Sequence, residues 1–140
     1  MGLPIQIVFD SLDPDRLATF WAAALHYEKE PPPPGFASWP EFLASEGVPR
    51  EEWNAASAVV DPQGKGPRIY FQQGDEPKTM PNRVHLDVTV GGASAEAWTR
   101  ILAEVERLQG LGATKKREVE DRGARWIVLQ DPEGNEFCVQ

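Results

Sequence analysis

The second half of the chain repeats a pattern that is already present in its first half. Residues 61–64 read Asp-Pro-Gln-Gly and stand shortly before an apolar run at residues 68–71. Residues 131–134 read Asp-Pro-Glu-Gly and stand before a similar run at residues 136–139. A repeat with a period of about half the chain means that two similar units must bury their apolar faces together. We therefore expect any binding or catalytic site to lie where the two copies face each other.

The first copy begins with a strand followed by an amphipathic helix. Residues 5–9 alternate in polarity, which predicts a strand with Ile5 on its core face. Asp13 is a good helix N-cap, and Pro14 suits the first helical position because its missing N–H costs nothing there. The helix is expected to end near His26. The other predicted elements of this copy are a short helix at residues 38–46 and strands at residues 55–61 and 68–73.

The second copy follows the same order. Residues 82–90 predict its opening strand, with Val84 on the apolar face. Ser94 is a suitable cap for a helix whose apolar stripe includes Trp98, which we expect in the core. The remaining predicted strands lie at residues 113–118, 124–130 and 136–140. Each half therefore reads as a strand, a helix and then two or three antiparallel strands.

These two copies define the expected organisation of a single domain. The expected bounds are residues 1–73 for module 1, about 31–54 for an insert within it, 74–81 for a linker and 82–140 for module 2. The insert starts in a run of prolines and carries Trp39 and Trp53. These tryptophans could close over a ligand or simply pack the insert onto the domain.

Strand alternation also predicts which polar side chains lie on the sheet face opposite each helix. In the first copy these are Gln6, Asp10, Arg68, Tyr70 and Gln72, and in the second they are His85, Asp87, Glu136 and Cys138. Trp126 lies on a central strand and is a further candidate for a pocket wall. An acidic cavity lined by aromatic residues would suit a flat or cationic ligand.

Composition excludes several functional classes. A net charge of -8 and a pI near 4.7 argue against nucleic acid, because binding to phosphates needs a basic surface. No apolar run approaches the roughly 18 residues that a membrane span requires, and no secretory signal is expected. The single cysteine, Cys138, excludes an internal disulfide and is compatible with a reducing cytoplasm, where we expect the protein to reside.

Three segments resemble the vicinal oxygen chelate superfamily, which includes glyoxalase I, bleomycin-resistance proteins and extradiol dioxygenases. They are residues 13–21 (Asp-Pro-Asp-Arg-Leu-Ala-Thr-Phe-Trp), 82–88 (Asn-Arg-Val-His-Leu-Asp-Val) and 131–137 (Asp-Pro-Glu-Gly-Asn-Glu-Phe). The chain is most similar to the glyoxalase-like domain proteins of this superfamily. The resemblance implies an α+β fold in which two βαβββ modules form a cupped mixed sheet around a pocket.

The resemblance also implies positions for a divalent metal. Carried over to this chain, the ligands on the first strands would be Gln6 and His85. Those on the last strands would be Tyr70, or Gln72 on the same face, and Cys138. Only His85 keeps the usual residue type, and neutral Gln and Tyr are poor ligands, so we expect no catalytic metal. The alternative is zinc, held by His85 and Cys138 with a third donor such as Asp87 or Glu136.

Two main functional hypotheses follow. A third is that the sheets serve only as a surface for forming a dimer. The first is a module that binds a small organic molecule in the cleft between its modules. Its candidate ligand-binding residues are Gln6, Asp10, Tyr70, Gln72, Trp126, Glu136 and Cys138. The second is a metal-dependent lyase or isomerase, or a dioxygenase-like enzyme, in which His85 is the ligand or the general base and Asp87 orients it. The resemblance further implies a homodimer.

Overall fold

The computed structural model describes residues 2–92 and 94–140, and the chain divides into two compact units. The first unit ends at Glu76 and the second begins at Pro77, a boundary that lies within the predicted linker. Each unit contains one four-stranded mixed sheet with a long helix between its first and second strands. This βαβββ order in both units confirms the α+β fold class.

The described residues of the first unit form four strands and two α-helices. They are β1 (Ile7–Ser11), α1 (Pro14–Leu25), β2 (Glu28–Lys29), α2 (Trp39–Ser45), β3 (Ala56–Val60) and β4 (Ile69–Gln73), with a 3-10 turn at Arg50–Glu52. The strand order is β1-β4-β3-β2, and β1 and β4 run parallel while the other pairs are antiparallel.

Helix α1 covers one face of this sheet and forms the core of the first unit. Leu17 and Trp21 on the helix are almost fully buried, as are Val59 and Phe71 on the sheet. The ring of Phe9 lies 5.6 Å from that of Trp21 and 5.4 Å from that of Phe71, between centroids. The opposite face of the sheet, here called open face 1, carries Val8, Asp10, Ala56, Ala58, Tyr70 and Gln72 according to the strand register.

The predicted ends of α1 are confirmed. The Asp13 carboxylate accepts a hydrogen bond from the N–H of Arg16, and Pro14 is the first helical residue. His26 ends the helix in the left-handed region at φ 58°. The prediction for Ile5 is wrong, because this side chain is 72% exposed. Strand β1 starts at Ile7, the register partner of Ile69 at the start of β4, so Ile5 has no strand beside it.

The second unit repeats this arrangement with one helix. Its elements are β5 (Leu86–Val88), α3 (Ala97–Leu111), β6 (Thr114–Asp121), β7 (Ala124–Gln130) and β8 (Glu136–Val139), and the strand order is β5-β8-β7-β6. Strands β5 and β8 run parallel. Its core joins Ile101, Val105 and Leu108 of α3 to the sheet residues Ile127, Leu129, Phe137 and Val139, all of them buried. The face opposite α3, open face 2, carries Asp87, Arg117, Trp126, Val128, Glu136 and Cys138.

Three predictions for the second unit are wrong in detail. Trp98 is only half-buried, because it lies in the first turn of α3 with the Arg125 guanidinium 3.6 Å above its ring. Ser94 does not cap α3, since its hydroxyl oxygen accepts a hydrogen bond from Arg100 instead. Val84 is 83% exposed, because β5 begins two residues later at Leu86. Among the described residues, no helix has the length and apolar character that crossing a bilayer requires.

The repeated Asp-Pro-X-Gly segments form matching turns. The Asp61 carboxylate accepts hydrogen bonds from the N–H groups of Gln63, Lys65 and Gly66, which hold its pKa below the usual range. The Asp131 carboxylate accepts hydrogen bonds from the backbone of Glu133 and from the backbone and side chain of Asn135. Asp131 is buried, whereas Asp61 is half-buried.

We expect Asp131→Ala to lower the free energy of unfolding by about 2 kcal/mol, because partly buried N–H groups of Glu133 and Asn135 lose a charged acceptor that is itself buried. The matched variant Asp61→Ala, at the equivalent turn, should cost clearly less, since water can replace the lost carboxylate there. Urea denaturation of both variants measures the difference. Equal losses, or a larger loss at Asp61, would contradict this account of the turns.

Candidate functional site

The first unit contains a cavity of about 820 Å³ between open face 1 and the insert at residues 31–54. Its lining includes residues of the sheet, of the insert and of the start of α1. From the sheet come Lys29, Ala56, Ala58 and Tyr70, and from positions next to its strands Glu30 and Arg68; from the insert come Trp39, Leu43, Glu52 and Trp53; and from α1 and its cap come Asp13, Asp15 and Arg16. We call this space the cavity.

Small side chains make room for the cavity on the sheet. Ala56 pairs with Gln72 and Ala58 with Tyr70, so both alanine methyl groups lie on open face 1. Ala58 is only 6% exposed, so neighbouring groups cover it closely, whereas Ala56 is exposed. The open part of the floor therefore lies at Ala56.

The insert is held in place by hydrogen bonds from both of its tryptophans. Ser38 caps α2, and Trp39 at the first position of that helix donates its indole N–H to the Glu30 carbonyl at 2.7 Å. Trp53 donates its indole N–H to the Val48 carbonyl at 3.0 Å. Because their polar atoms are satisfied, the two indoles act as apolar wall in the cavity.

Asn54 fastens the end of the insert to the start of α1. Its side-chain amide donates to the Asp13 carboxylate at 2.8 Å, and its carbonyl oxygen accepts from the N–H of Asp15 at 2.8 Å. The hydrogen bond from Asn54, together with that from the N–H of Arg16, lowers the pKa of Asp13. One amide therefore satisfies a free N–H in the first turn of the helix and also fixes the cavity wall.

Paired charges line the cavity. The Arg68 guanidinium donates to both oxygens of Glu30, at 2.9 and 2.7 Å, and its third nitrogen donates to Gln6 at 2.6 Å. The same guanidinium lies 5.3 Å from the centre of the Tyr70 ring. The hydrogen bond to Glu30 raises the pKa of Arg68. Lys29 forms a second ion pair with Asp15.

The predicted site residues of the first unit separate into two groups. Tyr70 lines the cavity, and Gln6 contacts its wall through Arg68. Asp10 accepts a hydrogen bond from Gln72 at 2.7 Å, and this pair lies farther along open face 1, outside the residues that line the cavity. The ligand-binding roles assigned to all four from the sequence stay predictions.

In the second unit, three predicted residues come together on open face 2. One ligand atom from each of His85, Asp87 and Cys138 lies within 4.8 Å of the other two. The imidazole Nδ1 of His85 is 3.3 Å from the Asp87 carboxylate. His85 and Asp87 are exposed and Cys138 is buried. We call this group the His–Asp–Cys cluster.

The Cys138 thiol is a neutral hydrogen-bond donor in this setting. Burial, the negative charge of Asp87 and a hydrogen bond to Asp87 raise its pKa to about 11, and Arg117 only partly opposes them. A thiol with this pKa is a weak nucleophile at neutral pH, because the thiolate is the reactive form. Covalent catalysis by Cys138 is therefore disfavoured.

The donor set of the His–Asp–Cys cluster fits zinc better than it fits iron or manganese. Zinc accepts nitrogen, oxygen and thiolate ligands together, whereas iron and manganese centres of oxygenases and hydrolases favour nitrogen and oxygen. Ligand atoms of a tetrahedral zinc site lie roughly 3.3–3.8 Å apart, so the three side chains need only a small inward shift. A site of this kind would polarise a bound oxygen as a Lewis acid.

Glu136 and Trp126 lie outside the His–Asp–Cys cluster. The Glu136 carboxylate accepts hydrogen bonds from Lys78 at 2.8 Å and from the N–H of Asn82 at 2.9 Å. Of the two third donors considered from the sequence, the structure places Asp87 in the cluster and engages Glu136 elsewhere. Trp126 is half-buried on open face 2 and pairs with Val119 of β6. Binding of a ligand by either residue stays a prediction.

Comparison with known proteins decides the family. The sequence model described as the glyoxalase-like domain matches residues 6–140, which is nearly the whole chain. The chain belongs to the glyoxalase-like domain family. No curated protein sequence matches it.

Solved structures support the same fold. A FosX fosfomycin resistance protein from Listeria monocytogenes, a mutant in complex with Mn(II) and 1S,2S-dihydroxypropylphosphonic acid, aligns with a TM-score of 0.67 and 14% identity over 100% of this chain and 92% of its own. FosX from Mesorhizobium loti gives 0.62 and 15%, over 99% and 90%. A possible glyoxalase from Bacillus cereus gives 0.60 and 16%, over 100% and 98%. Together with the family match, these similarities place this glyoxalase-like domain in the vicinal oxygen chelate superfamily.

Several cavity residues were not identified as site residues from the sequence. The run of small residues at 55–58 is a readable signal for space beside a strand, since strands otherwise favour large side chains. Asn54 carries no comparable signal, because its partners Asp13 and Asp15 are about 40 positions away in the chain. Glu30 is likewise paired with Arg68 across 38 positions.

Glu136 should make stability depend on pH. Burial alone would raise its pKa, but hydrogen bonds from Lys78 and from the N–H of Asn82 outweigh burial and lower the pKa to about 2. As pH falls, the unfolded chain takes up this proton first, so the stabilisation present above about pH 5 is lost between about pH 5 and 2. We expect this contribution to be about 1–2 kcal/mol after screening by solvent.

The measurement is the free energy of unfolding from pH 2 to 7 for the wild type and for Glu136→Gln. The variant should be less stable at pH 7 and should lose less stability on acidification. Glu106→Gln, at an exposed position of α3, is the matched control and should follow the wild type. If Glu136→Gln and the wild type show the same pH profile, the Lys78–Glu136 pair does not stabilise the fold.

Proposed function

We propose that this glyoxalase-like domain binds a small organic molecule in the cavity of its first unit. The observation that carries the proposal is the size and lining of that space, about 820 Å³ with Trp39, Trp53 and Tyr70 in its wall. Ligand sites in proteins are typically concave spaces of about 300–1,000 Å³ with aromatic walls and a few convergent polar groups. The cavity meets each of these conditions.

The polar groups of the cavity are arranged to orient a ligand. Arg68 is fixed by Glu30 and Gln6, so its remaining N–H donors have a defined direction. The carboxylate of Asp13 is held by the amide of Asn54, and that of Asp15 is held by Lys29. Groups that are already ordered lose little conformational entropy when a ligand binds, which favours affinity.

The structural neighbours give a precedent for small molecules on this fold. The FosX proteins are named for resistance to fosfomycin, and one of them holds Mn(II) and a dihydroxypropylphosphonic acid. Their identity to this chain is 13–15%, so they support binding of a small molecule in general and not of that antibiotic.

Ala58→Leu should reduce the space in the cavity. The alanine methyl lies on open face 1 and lines the cavity, but Ala58 is only 6% exposed, so the larger side chain must also displace neighbouring groups and should cost about 1–3 kcal/mol of stability. A collection of small organic fragments, screened by tryptophan fluorescence and ligand-observed NMR, should yield ligands of the wild type. We expect these to bind at least about tenfold more weakly to Ala58→Leu, since the space for them is lost.

The matched control is Ala124→Leu, at an exposed position at the start of β7. It adds the same group in the second unit and should leave the affinities unchanged. The proposal fails if no fragment binds the wild type below about 1 mM. It also fails if Ala58→Leu binds the same fragments as tightly as the wild type.

A second candidate is a zinc-dependent enzyme of the same superfamily, and the His–Asp–Cys cluster favours it. Three donors of suitable chemistry lie within 4.8 Å of one another, although the sequence resemblance had suggested a weakened ligand set. His85 would supply a nitrogen, Asp87 an oxygen and Cys138 a sulfur, and the zinc ion would supply Lewis acidity. Exposure of His85 and Asp87 keeps the cluster accessible to a substrate.

Metal analysis tests this candidate directly. Protein prepared without chelators should carry about one zinc ion per chain, and both His85→Ala and Cys138→Ser should lose it, because three protein ligands are the minimum of known catalytic sites. His26→Asn replaces the only other histidine with a residue that tolerates the left-handed region, and should keep the metal. Zinc retained by His85→Ala, or zinc absent from the wild type even after addition, would rule the candidate out.

A further inference from the structure

The cavity of the first unit has a shape and a charge balance that select one class of ligand. We infer that it takes a planar aromatic cation, a conclusion that rests on the proposed function and names the chemistry of its ligand. Three observations carry the inference: the small side chains of the floor, the aromatic wall and the excess of carboxylates around the space.

The floor of the cavity is the surface of a β-sheet bearing small side chains. Ala56 and Ala58 are alternate residues of β3, so their methyl groups project side by side from open face 1. The Tyr70 ring stands beside Ala58 on the neighbouring strand. Methyl groups on neighbouring positions of one sheet face leave room for the face of a ring to lie against the strand.

The insert supplies an aromatic part of the wall. Trp39 and Trp53 both line the cavity, and the backbone carbonyls of Glu30 and Val48 bind their indole N–H groups. The indoles are therefore anchored by their edges. Ring faces carry partial negative charge, so aromatic walls favour a flat ligand and favour it more when the ligand is positively charged.

The charges of the lining sum to an excess of one carboxylate. Four carboxylates line the cavity (Asp13, Asp15, Glu30 and Glu52) with three cations (Arg16, Lys29 and Arg68), a difference of 4 − 3 = 1. Glu30 neutralises Arg68 and Asp15 neutralises Lys29. Outside these two pairs the lining keeps the carboxylates of Asp13 and Glu52 against the guanidinium of Arg16, so a cation meets more opposite charge than an anion does.

The chain itself places a planar cation beside one aromatic ring of the cavity lining. The guanidinium of Arg68 is planar and positively charged, and it lies 5.3 Å from the centre of the Tyr70 ring while Glu30 binds two of its nitrogens. A planar cation beside another ring of the lining, such as that of Trp39, would make the same kind of contact. The overall charge of -8 also attracts cations to the protein from solution.

Three bicyclic probes of nearly equal size separate shape from charge: N-methylquinolinium as the cation, quinoline as the neutral molecule and 1-naphthoate as the anion. Their affinities for the full chain are measured at pH 8 by isothermal titration calorimetry. We expect N-methylquinolinium to bind at least about tenfold more tightly than 1-naphthoate, with quinoline between them. Added salt should weaken the cation most, because salt screens partly exposed charges.

Two charge variants test whether the preference for the cationic probe arises at the cavity. Glu52→Gln removes one lining carboxylate at an exposed position and should weaken N-methylquinolinium about threefold or more while leaving quinoline unchanged. Glu106→Gln also removes one negative charge, but Glu106 lies on α3 of the second unit. This variant should change neither affinity. Ala58→Leu should weaken all three probes, which shows that they occupy the cavity.

The outcomes distinguish failure of this inference from failure of the proposed function. If quinoline or 1-naphthoate binds as tightly as the cation, the cavity binds small molecules but the charge class is wrong. If none of the three binds while fragments of other shapes do, the planar class is wrong. If neither the probes nor any fragment binds the wild type, the proposed function itself is wrong.

Discussion

Each unit depends on one packing constraint, which is that a single amphipathic helix covers a single face of a four-stranded sheet. In the first unit, α1 buries Leu17 and Trp21 against Val59 and Phe71. Because side chains alternate along a strand, this contact determines which residues are left for the opposite face. A shift of one residue in the register of β4 would place Gln72 on the face that α1 covers.

This constraint explains why strand alternation alone predicted the sheet faces on which Tyr70 and Cys138 lie. Tyr70 and Cys138 were assigned to the faces opposite the helices because their neighbours in sequence are apolar, and the strand registers place them there. The cap and start of α1 were also predictable, because Asp13 and Pro14 act on the backbone within one helical turn. Local rules work where the interactions they describe are local.

The wrong predictions concern residues whose burial depends on neighbours distant in the sequence. Ile5 and Val84 continue an alternating pattern beyond the point where a partner strand exists, so pattern alone overestimates strand length. Trp98 lies in the first turn of its helix, where Arg125 from β7 covers it in place of the core. In each case the deciding neighbour is distant in sequence, and no periodicity records it. The cavity is the largest example, because its walls combine residues from α1, the insert and the sheet.

Asn54 shows how the fold and the cavity are coupled. The first turn of any helix leaves N–H groups without partners, and a polar residue must bind them. Here Asp13 satisfies one of them from within the helix cap, and Asn54 satisfies the N–H of Asp15 from the end of the insert. Since the amide of Asn54 also binds Asp13, loss of the insert contact would weaken the cap of the helix that forms the core. The two hydrogen bonds of Asn54 therefore serve both purposes. They complete the cap of α1, and they hold the end of the insert that forms part of the cavity wall.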